Sequence, residues 1–322
     1  MNNQLKLMKN TKYILIFFFL TIFSSCKSKV IQNQDSGVEK AEFKSESKPK
    51  LVLAQWTFNK ELFEGKMTNA DFVNKASQLG FEGVEYVSQF FKDKVNDDKF
   101  LAELKLVSEN AGIINTMISV DLAEARLGSS DSDERDIAIS KHKEWIIAAS
   151  KLNCPTIRVN AHGDGTAEEM MGVVFNSVKE LADYGKSYNV RVAIENHGQY
   201  SSDGKWLSEL VGKLVPYGVG SVADFDNWCI EREGGELWGT PCLREYDRYQ
   251  GVKELLPTAR SVSVKAFDFD KQGNAIKTDF KRMFQLIKEA QYDEYLAVEF
   301  EGHDMDPIEG IRKTFELIER CW

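Results

Sequence analysis

The sequence has no excess of basic residues and no glycine-rich phosphate loop. Its 322 residues include 41 lysines and arginines against 50 aspartates and glutamates, which gives a net charge of −9. Binding to a phosphate backbone needs a basic surface, so this balance disfavours a nucleic-acid-binding protein. The residues after the first apolar run of the main domain, Trp56-Thr57-Phe58-Asn59, contain no glycine. This absence counts against a dinucleotide-binding fold.

The apolar stretch at residues 13–23 is too short to span a bilayer comfortably. Three lysines without an acidic residue precede it, and Ser24-Ser25-Cys26 follows it. This pattern predicts a bacterial lipoprotein signal over residues 1–25, with cleavage before Cys26 and lipidation of its thiol. An ordinary secretory signal and an uncleaved anchor are the alternatives. We therefore expect an exported protein that is anchored to the membrane through its lipid and faces the periplasm.

Residues 26–50 predict a flexible tether after the lipidated cysteine. They are rich in Lys, Ser, Glu, Gln and Asp, so they cannot bury enough apolar surface to fold. A tether of about 24 residues has a typical reach of roughly 27 Å. The remaining residues, 51–322, have the length of one large domain.

Eight apolar runs are separated by segments with helical periodicity. They predict strands near residues 51–57, 83–87, 113–120, 156–161, 191–196, 219–224, 261–266 and 295–300. Strands that are nearly all apolar and that alternate with helices predict a parallel sheet. Eight such units in about 270 residues predict a closed (β/α)8 TIM barrel in a single domain.

Most of the predicted strands end on polar or charged residues, and a barrel brings these ends to one face. The side chains expected there include Gln55, Trp56, Glu85, Asp121, Arg158, Asn160, His162, Glu195, His197, Asp224, Asn227, Trp228, Lys265, Glu299 and Glu301. Glu195, Asp224 and Glu299 each follow directly on a strand. They are the best candidates for metal ligands, because crowded carboxylates need a cation. A structural ion network with Arg158 and Lys265 is the alternative.

Two of the five cysteines, Cys229 and Cys242, flank one loop after the sixth predicted strand. Outside the cytoplasm they could form a disulfide, but pairing does not follow from sequence, so two unrelated thiols stay equally open. The loop has nearly twenty residues. A loop of that length at the active face is either a lid or an ordered excursion pinned by the two cysteines.

Four motifs follow one another along the chain, one per predicted strand. They are Ile-Glu-Asn-His-Gly at 194–198, Asp-Phe-x-Asn-Trp at 224–228, Val-x-Val-Lys at 262–265 and Val-Glu-Phe-Glu-Gly at 298–302. Together they resemble the sugar phosphate isomerase/epimerase family, also called the xylose isomerase-like TIM barrel family. That family is related to the family-two apurinic endonucleases. The resemblance covers about residues 51–320.

The resemblance implies a metal site, because the keto-sugar epimerases of this family hold one divalent metal with Glu, Asp, His and Glu. It implies that Glu195, Asp224 and Glu299 bind the metal and that Glu195 and Glu299 are also the catalytic proton carriers. The family's histidine falls at Ser263, so the ligand set would be completed by water, His197 or Gln55. Oxygen ligands favour Mn²⁺ or Mg²⁺, and an added imidazole would shift the preference to Co²⁺ or Zn²⁺.

The mechanism implied by the resemblance is proton transfer beside a substrate carbonyl. A metal would polarise the carbonyl, one glutamate would take the neighbouring proton, and the other would return it. The expected substrate-binding residues are Trp56, Glu85, Arg158, Asn160, His162, His197, Asn227, Trp228 and Lys265.

The sequence therefore predicts a divalent-metal-dependent sugar isomerase or epimerase. A lyase or hydratase acting on a 3-keto-glycoside would use the same proton abstraction and is the first alternative. A non-catalytic sugar-binding lipoprotein on a decayed barrel is the second, motivated by Ser263 and Asn227, which stand at two positions where the family has histidine. An exported protein rarely meets phosphorylated sugars, so a free sugar or a glycoside is the expected ligand. Endonuclease activity is disfavoured, because the related endonucleases need several histidines for a multi-metal site and a cytoplasmic location, whereas this chain has only four histidines and a predicted export signal.

Overall fold

Eight parallel strands close into a barrel in the computed structural model, which describes residues 48–322. The strands of the described chain are β1 (Lys50–Ala54), β2 (Gly83–Val87), β3 (Ile114–Val120), β4 (Thr156–Val159), β5 (Arg191–Glu195), β6 (Gly220–Asp224), β7 (Cys229–Arg232), β8 (Cys242–Glu245), β9 (Ala259–Ala266) and β10 (Tyr295–Phe300). The barrel order is β1-β10-β9-β6-β5-β4-β3-β2, and β7 and β8 form a separate two-stranded sheet. The predicted single-domain TIM barrel is confirmed.

Helices connect the strands and surround the barrel. They are α1 (Asn59–Phe63), α2 (Asn69–Gln78), α3 (Asp98–Ala111), α4 (Ser132–Lys151), α5 (Ala167–Lys186), α6 (Gly204–Leu214), α7 (Arg248–Leu255), α8 (Phe280–Glu289) and α9 (Pro307–Cys321). Their boundaries follow local chemistry. Thr68 and Thr166 form capping boxes at the starts of α2 and α5, and Gly112 ends α3 in the left-handed conformation.

All eight predicted barrel strands are present, but several end earlier than predicted. The run at 51–57 is an example, because β1 stops at Ala54 and residues Gln55–Phe58 form a 3₁₀ turn. The buried Gln55 side chain explains this early end: it accepts a hydrogen bond from the backbone N–H of Val87 and donates one to Asn69. The chain therefore leaves the barrel direction at Gln55 and carries Trp56 to the mouth.

Two small clusters of apolar side chains lie inside the barrel. Val52, Ala54 and Ala297 form one buried cluster and Met117, Ala193 and Val222 another, both separate from the large core between strands and helices. Alternation along each strand produces this division, since successive side chains point to opposite faces of the sheet. Ala54, Met117 and Val222 also line the cavity at the mouth. The short side chains of Ala54 and Val222 therefore leave space for that cavity.

The N-terminal predictions fall outside the described residues. These are the signal sequence at 1–25, the lipidation site Cys26 and the tether up to residue 47. Across residues 48–322, none of the helices is both long and apolar enough to cross a membrane.

A glycine in α7 permits close packing of the ring of Trp228. A Cβ atom at Gly251 would lie 2.2 Å from Trp228 Cζ3, whereas a Cβ at Gly212 in α6 would meet no atom within 4 Å. We expect Gly251→Ala to lower the free energy of unfolding by about 1–3 kcal/mol through overpacking. Gly212→Ala, the matched control, should raise it by up to about 1 kcal/mol, because alanine has the higher helix propensity. Urea denaturation midpoints measure both, and equal effects would contradict this account of the packing.

Candidate active site

A cavity of about 440 Å³ opens at the carboxyl ends of the barrel strands. In a TIM barrel this face carries the active site, because the loops that follow the strands surround it. The cavity brings together most of the predicted site residues, namely Trp56, Glu85, Arg158, Asn160, His162, Glu195, His197, Lys265 and Glu299. Residues that lie far apart in the sequence are thus neighbours at one mouth.

Two further predicted residues contact this lining without belonging to it. Asp224 is fully buried, and its Oδ2 atom lies 3.4 Å from Lys265 Nζ. The Asn227 side chain donates a hydrogen bond of 3.3 Å to Glu195 Oε1. Asn227 Oδ1 also lies 3.5 Å from Lys265 Nζ. Both residues support the cavity side chains.

The prediction that Trp228 binds substrate is wrong. Its side chain is fully buried in the main hydrophobic core and does not line the cavity. The ring packs against Gly251 and Tyr246, with a ring separation of 6.2 Å from the tyrosine. The position of Trp228 near a predicted strand end did not reveal whether its ring faces the cavity or the hydrophobic core.

Arg158 organises one half of the site. Its Nη1 atom donates to Asp121 Oδ1 at 2.5 Å, and its Nε atom lies 2.7 Å from Glu195 Oε2. Burial alone would raise the pKa of Asp121, but the charge of Arg158 and the hydrogen bonds from Arg158 and Asn160 together outweigh burial and lower that pKa to about 2. For Glu195, burial outweighs the attraction of Arg158 and raises the pKa to about 8. Arg158 therefore keeps Asp121 ionised beside a glutamate that holds its proton near neutral pH.

Lys265 organises the other half of the site. Its Nζ atom lies 3.4 Å from Asp224 Oδ2, 3.3 Å from Glu299 Oε2 and 3.1 Å from Glu301 Oε1. Burial alone would lower the pKa of Lys265, but these carboxylates outweigh it and raise that pKa well above its usual value. Burial raises the pKa of Glu299 to about 7, against the opposing charge of Lys265.

A third buried glutamate completes the acidic lining. Glu85 is 5% exposed, and its Oε1 atom accepts a hydrogen bond of 2.5 Å from Ser261 Oγ. Burial raises its pKa to about 7. Three glutamates of this cavity thus have pKa values shifted towards neutrality, a property that is concentrated at catalytic sites.

The two histidines of the mouth stack on each other. The rings of His162 and His197 have centroids 5.9 Å apart, and His162 Nε2 lies 2.6 Å from the backbone oxygen of His197. Burial lowers the pKa of both imidazoles, and that of His197 falls well below its usual value. Both rings are therefore neutral at physiological pH. They offer the cavity hydrogen-bonding edges and flat faces rather than charge.

A disulfide-linked hairpin borders the mouth. Cys229 and Cys242 are bonded, with Cα atoms 5.8 Å apart, and β7 pairs with β8 in antiparallel orientation. The loop between these strands is thus an ordered excursion, and it carries Leu237 and Trp238 into the cavity lining. The ring of Trp238 lies 4.6 Å from that of His197, by centroids.

The described residues do not fit the divalent metal that the resemblance implies. Asp224 Oδ2 accepts no hydrogen bond within residues 48–322, which would suit a cation. However, Glu195 Oε2 faces Arg158, and Asp224 and Glu299 both face Lys265. No group of three or more His, Cys, Asp or Glu side chains in that range is arranged to hold a metal ion. Glu195, Asp224 and Glu299 instead belong to an ion network with Arg158 and Lys265.

Two charged cavity residues were not among the predicted ligand or substrate contacts. Asp121 and Glu301 stand at predicted strand ends, a signal that could have identified them. For Trp238 the sequence left open stacking on a sugar or ordinary packing; it lies on the hairpin, fourteen residues after Asp224, and lines the cavity. Its position could be found only from the fold.

The xylose isomerase-like TIM barrel family model matches residues 73–321. The chain therefore belongs to this family. A comparison with curated proteins finds no match by sequence.

Solved structures with the same fold include several named sugar enzymes. A 3-keto-D-glucoside 4-epimerase from E. coli is 15% identical, with a TM-score of 0.60 over 85% of this chain and 100% of that chain. A D-psicose 3-epimerase from Clostridium cellulolyticum is 14% identical, with a TM-score of 0.63 over 84% and 98%. A sugar phosphate isomerase/epimerase from Parabacteroides distasonis is 14% identical, with a TM-score of 0.60 over 84% and 93%. At these identities the similarity establishes the fold.

The disulfide should order the hairpin that carries Trp238. It closes a loop with a sequence separation of 13 residues, and closing a loop of about 15 residues contributes about 3 kcal/mol in the chain-entropy model. We expect reduction, or the double change Cys229→Ser and Cys242→Ser, to speed amide hydrogen exchange over residues 229–245 by about tenfold or more. Exchange in the barrel strands should stay unchanged.

Cys321→Ser is the matched control, because Cys321 is a free cysteine outside the hairpin. Unchanged exchange in the reduced hairpin would show that other contacts order it.

Proposed function

We propose that this protein is a sugar isomerase or epimerase that moves a proton beside a substrate carbonyl. The observation that carries the proposal is the pair Glu195 and Glu299, which line one cavity; Glu195 is buried and the Glu299 side chain is 12% exposed. Each lies beside a buried cation, and burial raises their pKa values to about 8 and about 7. A group with a pKa near the working pH is suited to both accepting and returning a proton. Membership of the xylose isomerase-like family supports the same chemistry.

The reaction needs two proton carriers and a positive environment for the carbonyl oxygen. One glutamate, as the carboxylate, takes the proton from the carbon beside the carbonyl. The electron pair of the broken C–H bond forms a carbon–carbon double bond, and the carbonyl electron pair moves to the oxygen. The other glutamate returns a proton to carbon. In an epimerase this proton goes to the opposite face of the same carbon; in an isomerase it goes to the neighbouring carbon, while the hydroxyl proton passes from one oxygen to the other so that the carbonyl changes place. Arg158 and Lys265 supply the positive charge that favours the enediolate intermediate.

The cavity suits a sugar in size and lining. Its volume of about 440 Å³ is within the range of small-molecule sites. Trp56 and Trp238 provide flat apolar faces at the rim, while Asn160 and the two neutral histidines provide hydrogen-bonding groups. The named activities of the structural neighbours, on D-psicose and on a 3-keto-D-glucoside, support a sugar or glycoside as the substrate class.

The predicted Mn²⁺ or Mg²⁺ is not needed for the steps above. Because the three carboxylates face Arg158 and Lys265, the proposed proton transfer is assigned to side chains alone.

A lyase or hydratase acting on a 3-keto-glycoside is the second candidate. The same abstraction beside a carbonyl would here expel a group from the neighbouring carbon instead of returning a proton. The printed name of one structural neighbour, a 3-keto-D-glucoside 4-epimerase, supports the substrate class of this candidate. A non-catalytic sugar-binding protein is the third candidate. The ion pairs of Glu195, Asp224 and Glu299 with Arg158 and Lys265 would also stabilise a barrel mouth that has no catalytic activity.

We also propose that the chain is exported and held at the membrane by a lipid on Cys26, facing the periplasm. The Cys229–Cys242 disulfide supports export, because disulfides persist in oxidising compartments outside the cytoplasm.

Removing either proton carrier should stop proton exchange. We expect Glu195→Gln and Glu299→Gln each to slow solvent-deuterium incorporation by about a hundredfold or more, because an amide cannot shuttle a proton. The measurement is NMR of D-fructose, D-psicose and a methyl 3-keto-glucoside incubated with the protein in D₂O. Product analysis of the same samples separates epimerisation from loss of a leaving group.

Glu289→Gln is the matched control, since Glu289 is exposed at the end of α8. Full exchange in either cavity variant would contradict the two-glutamate mechanism. Sugar binding without exchange by the unchanged protein would favour the non-catalytic candidate.

Lipidation is tested on the full chain in a bacterial host. We expect Cys26→Ala to move the protein from the membrane fraction to the soluble exported fraction, because the anchoring acyl chains are lost. Cys321→Ala should leave the distribution unchanged. A Cys26→Ala variant that stays with the membrane would contradict lipid anchoring at this residue.

A further inference from the structure

The central carboxylates of the cavity share one ammonium group. Lys265 Nζ lies within 3.4 Å of oxygen atoms of Asp224, Glu299 and Glu301. The lysine side chain is 5% exposed and Asp224 is fully buried, so water screens this cluster weakly. A buried carboxylate cluster needs a compensating charge, and Lys265 already provides it.

Strand register fixes this arrangement. Glu299 of β10 pairs with Lys265 of β9, and Asp224 of β6 pairs with Ser263 of β9. The Ser263 hydroxyl donates a hydrogen bond of 2.9 Å to Glu299 Oε2. The position next to Asp224 thus carries a short hydroxyl group. No imidazole stands there to complete a metal shell.

We propose that the ammonium of Lys265 is the resident cation of this cluster and that the site works without a divalent metal. In this role Lys265 is a catalytic residue, because it stabilises the negative charge that develops on the substrate oxygen. The identity of the resident cation is independent of the reaction, whereas the catalytic role rests on the proposed function.

The geometry leaves the Lys265 ammonium free to donate a hydrogen bond to a substrate oxygen. Its distances to the surrounding acceptors, 3.1–3.5 Å, are longer than the 2.7–2.9 Å typical of charge-assisted hydrogen bonds. An ammonium has three N–H donors, and Lys265 lines the cavity. One donor can therefore turn to the carbonyl oxygen as the C–H bond breaks and the carbonyl electron pair moves to that oxygen. The interaction ends when the second proton carrier protonates carbon and the carbonyl re-forms.

A divalent ion bound by Asp224 and Glu299 would lie next to the Lys265 ammonium. Asp224 and Glu299 would have to bind the metal while each lies within 3.4 Å of Lys265 Nζ. The two cations would repel each other in a weakly screened site, so the lysine would have to leave or lose its proton. Substitution of Lys265 should therefore create metal affinity, an outcome opposite to that expected at a true metal site.

The direct test is calorimetric titration of Mn²⁺ into the unchanged protein, Lys265→Met and the double variant Ser263→His with Lys265→Met. We expect no stoichiometric binding by the unchanged protein. Lys265→Met should bind at least about tenfold more tightly, and the double variant more tightly still. Lys253→Met, which removes an exposed lysine of α7, is the control and should match the unchanged protein. Binding of one Mn²⁺ per chain by the unchanged protein would overturn the proposal. This titration does not depend on whether any variant folds.

The second readout is deuterium exchange on the three sugars named above, in the presence of excess EDTA and again with added Mn²⁺. We expect exchange to survive chelation and to fall by about a hundredfold in Lys265→Met. Loss of exchange in EDTA that Mn²⁺ restores would overturn the proposal. Absence of exchange under every condition would count against the proposed function alone, and the Mn²⁺ titrations would then decide the identity of the cation.

Discussion

A carboxylate that is removed from water must be paired with a cation or take up a proton, and the barrel mouth depends on this constraint. Six acids are gathered there, namely Glu85, Asp121, Glu195, Asp224, Glu299 and Glu301, around the buried cations Arg158 and Lys265. The cations are outnumbered, so burial pushes some glutamates towards the protonated form, with pKa values of about 7 to 8. The same imbalance that costs folding free energy thus creates groups able to exchange protons near neutral pH.

The barrel produces this concentration of charge through two simple rules. Parallel strands place all their carboxyl ends on one face, and alternation along each strand separates helix-facing from interior side chains. Small interior residues such as Ala54 and Val222 then leave an open cavity above them, while the disulfide-linked hairpin adds Trp238 at its edge. The mouth combines a charged floor with aromatic rims, an arrangement suited to a polar ligand with apolar faces.

The eight strands, and the convergence of Glu195, Lys265 and Glu299, followed from sequence because apolar periodicity reports burial and a closed barrel fixes where strands end. Side-chain partners did not follow, since each depends on contacts between distant segments. Trp228 ends a motif beside Asp224, yet its ring packs against Gly251 in the core. The carboxylates suggested a metal, but strand register places Lys265 among them. The Cys229–Cys242 disulfide did not follow from the sequence, because pairing depends on the distance between the two cysteines in the fold and their spacing along the chain does not give that distance.

The central claim is that an ammonium, and no metal ion, occupies the centre of the carboxylate cluster. Anomalous diffraction at the manganese edge, from crystals of the full domain grown with Mn²⁺, tests it most directly. The account predicts Lys265 Nζ between Asp224, Glu299 and Glu301, with no anomalous peak among them. A strong peak within bonding distance of Glu195, Asp224 and Glu299, with the lysine displaced, would contradict it.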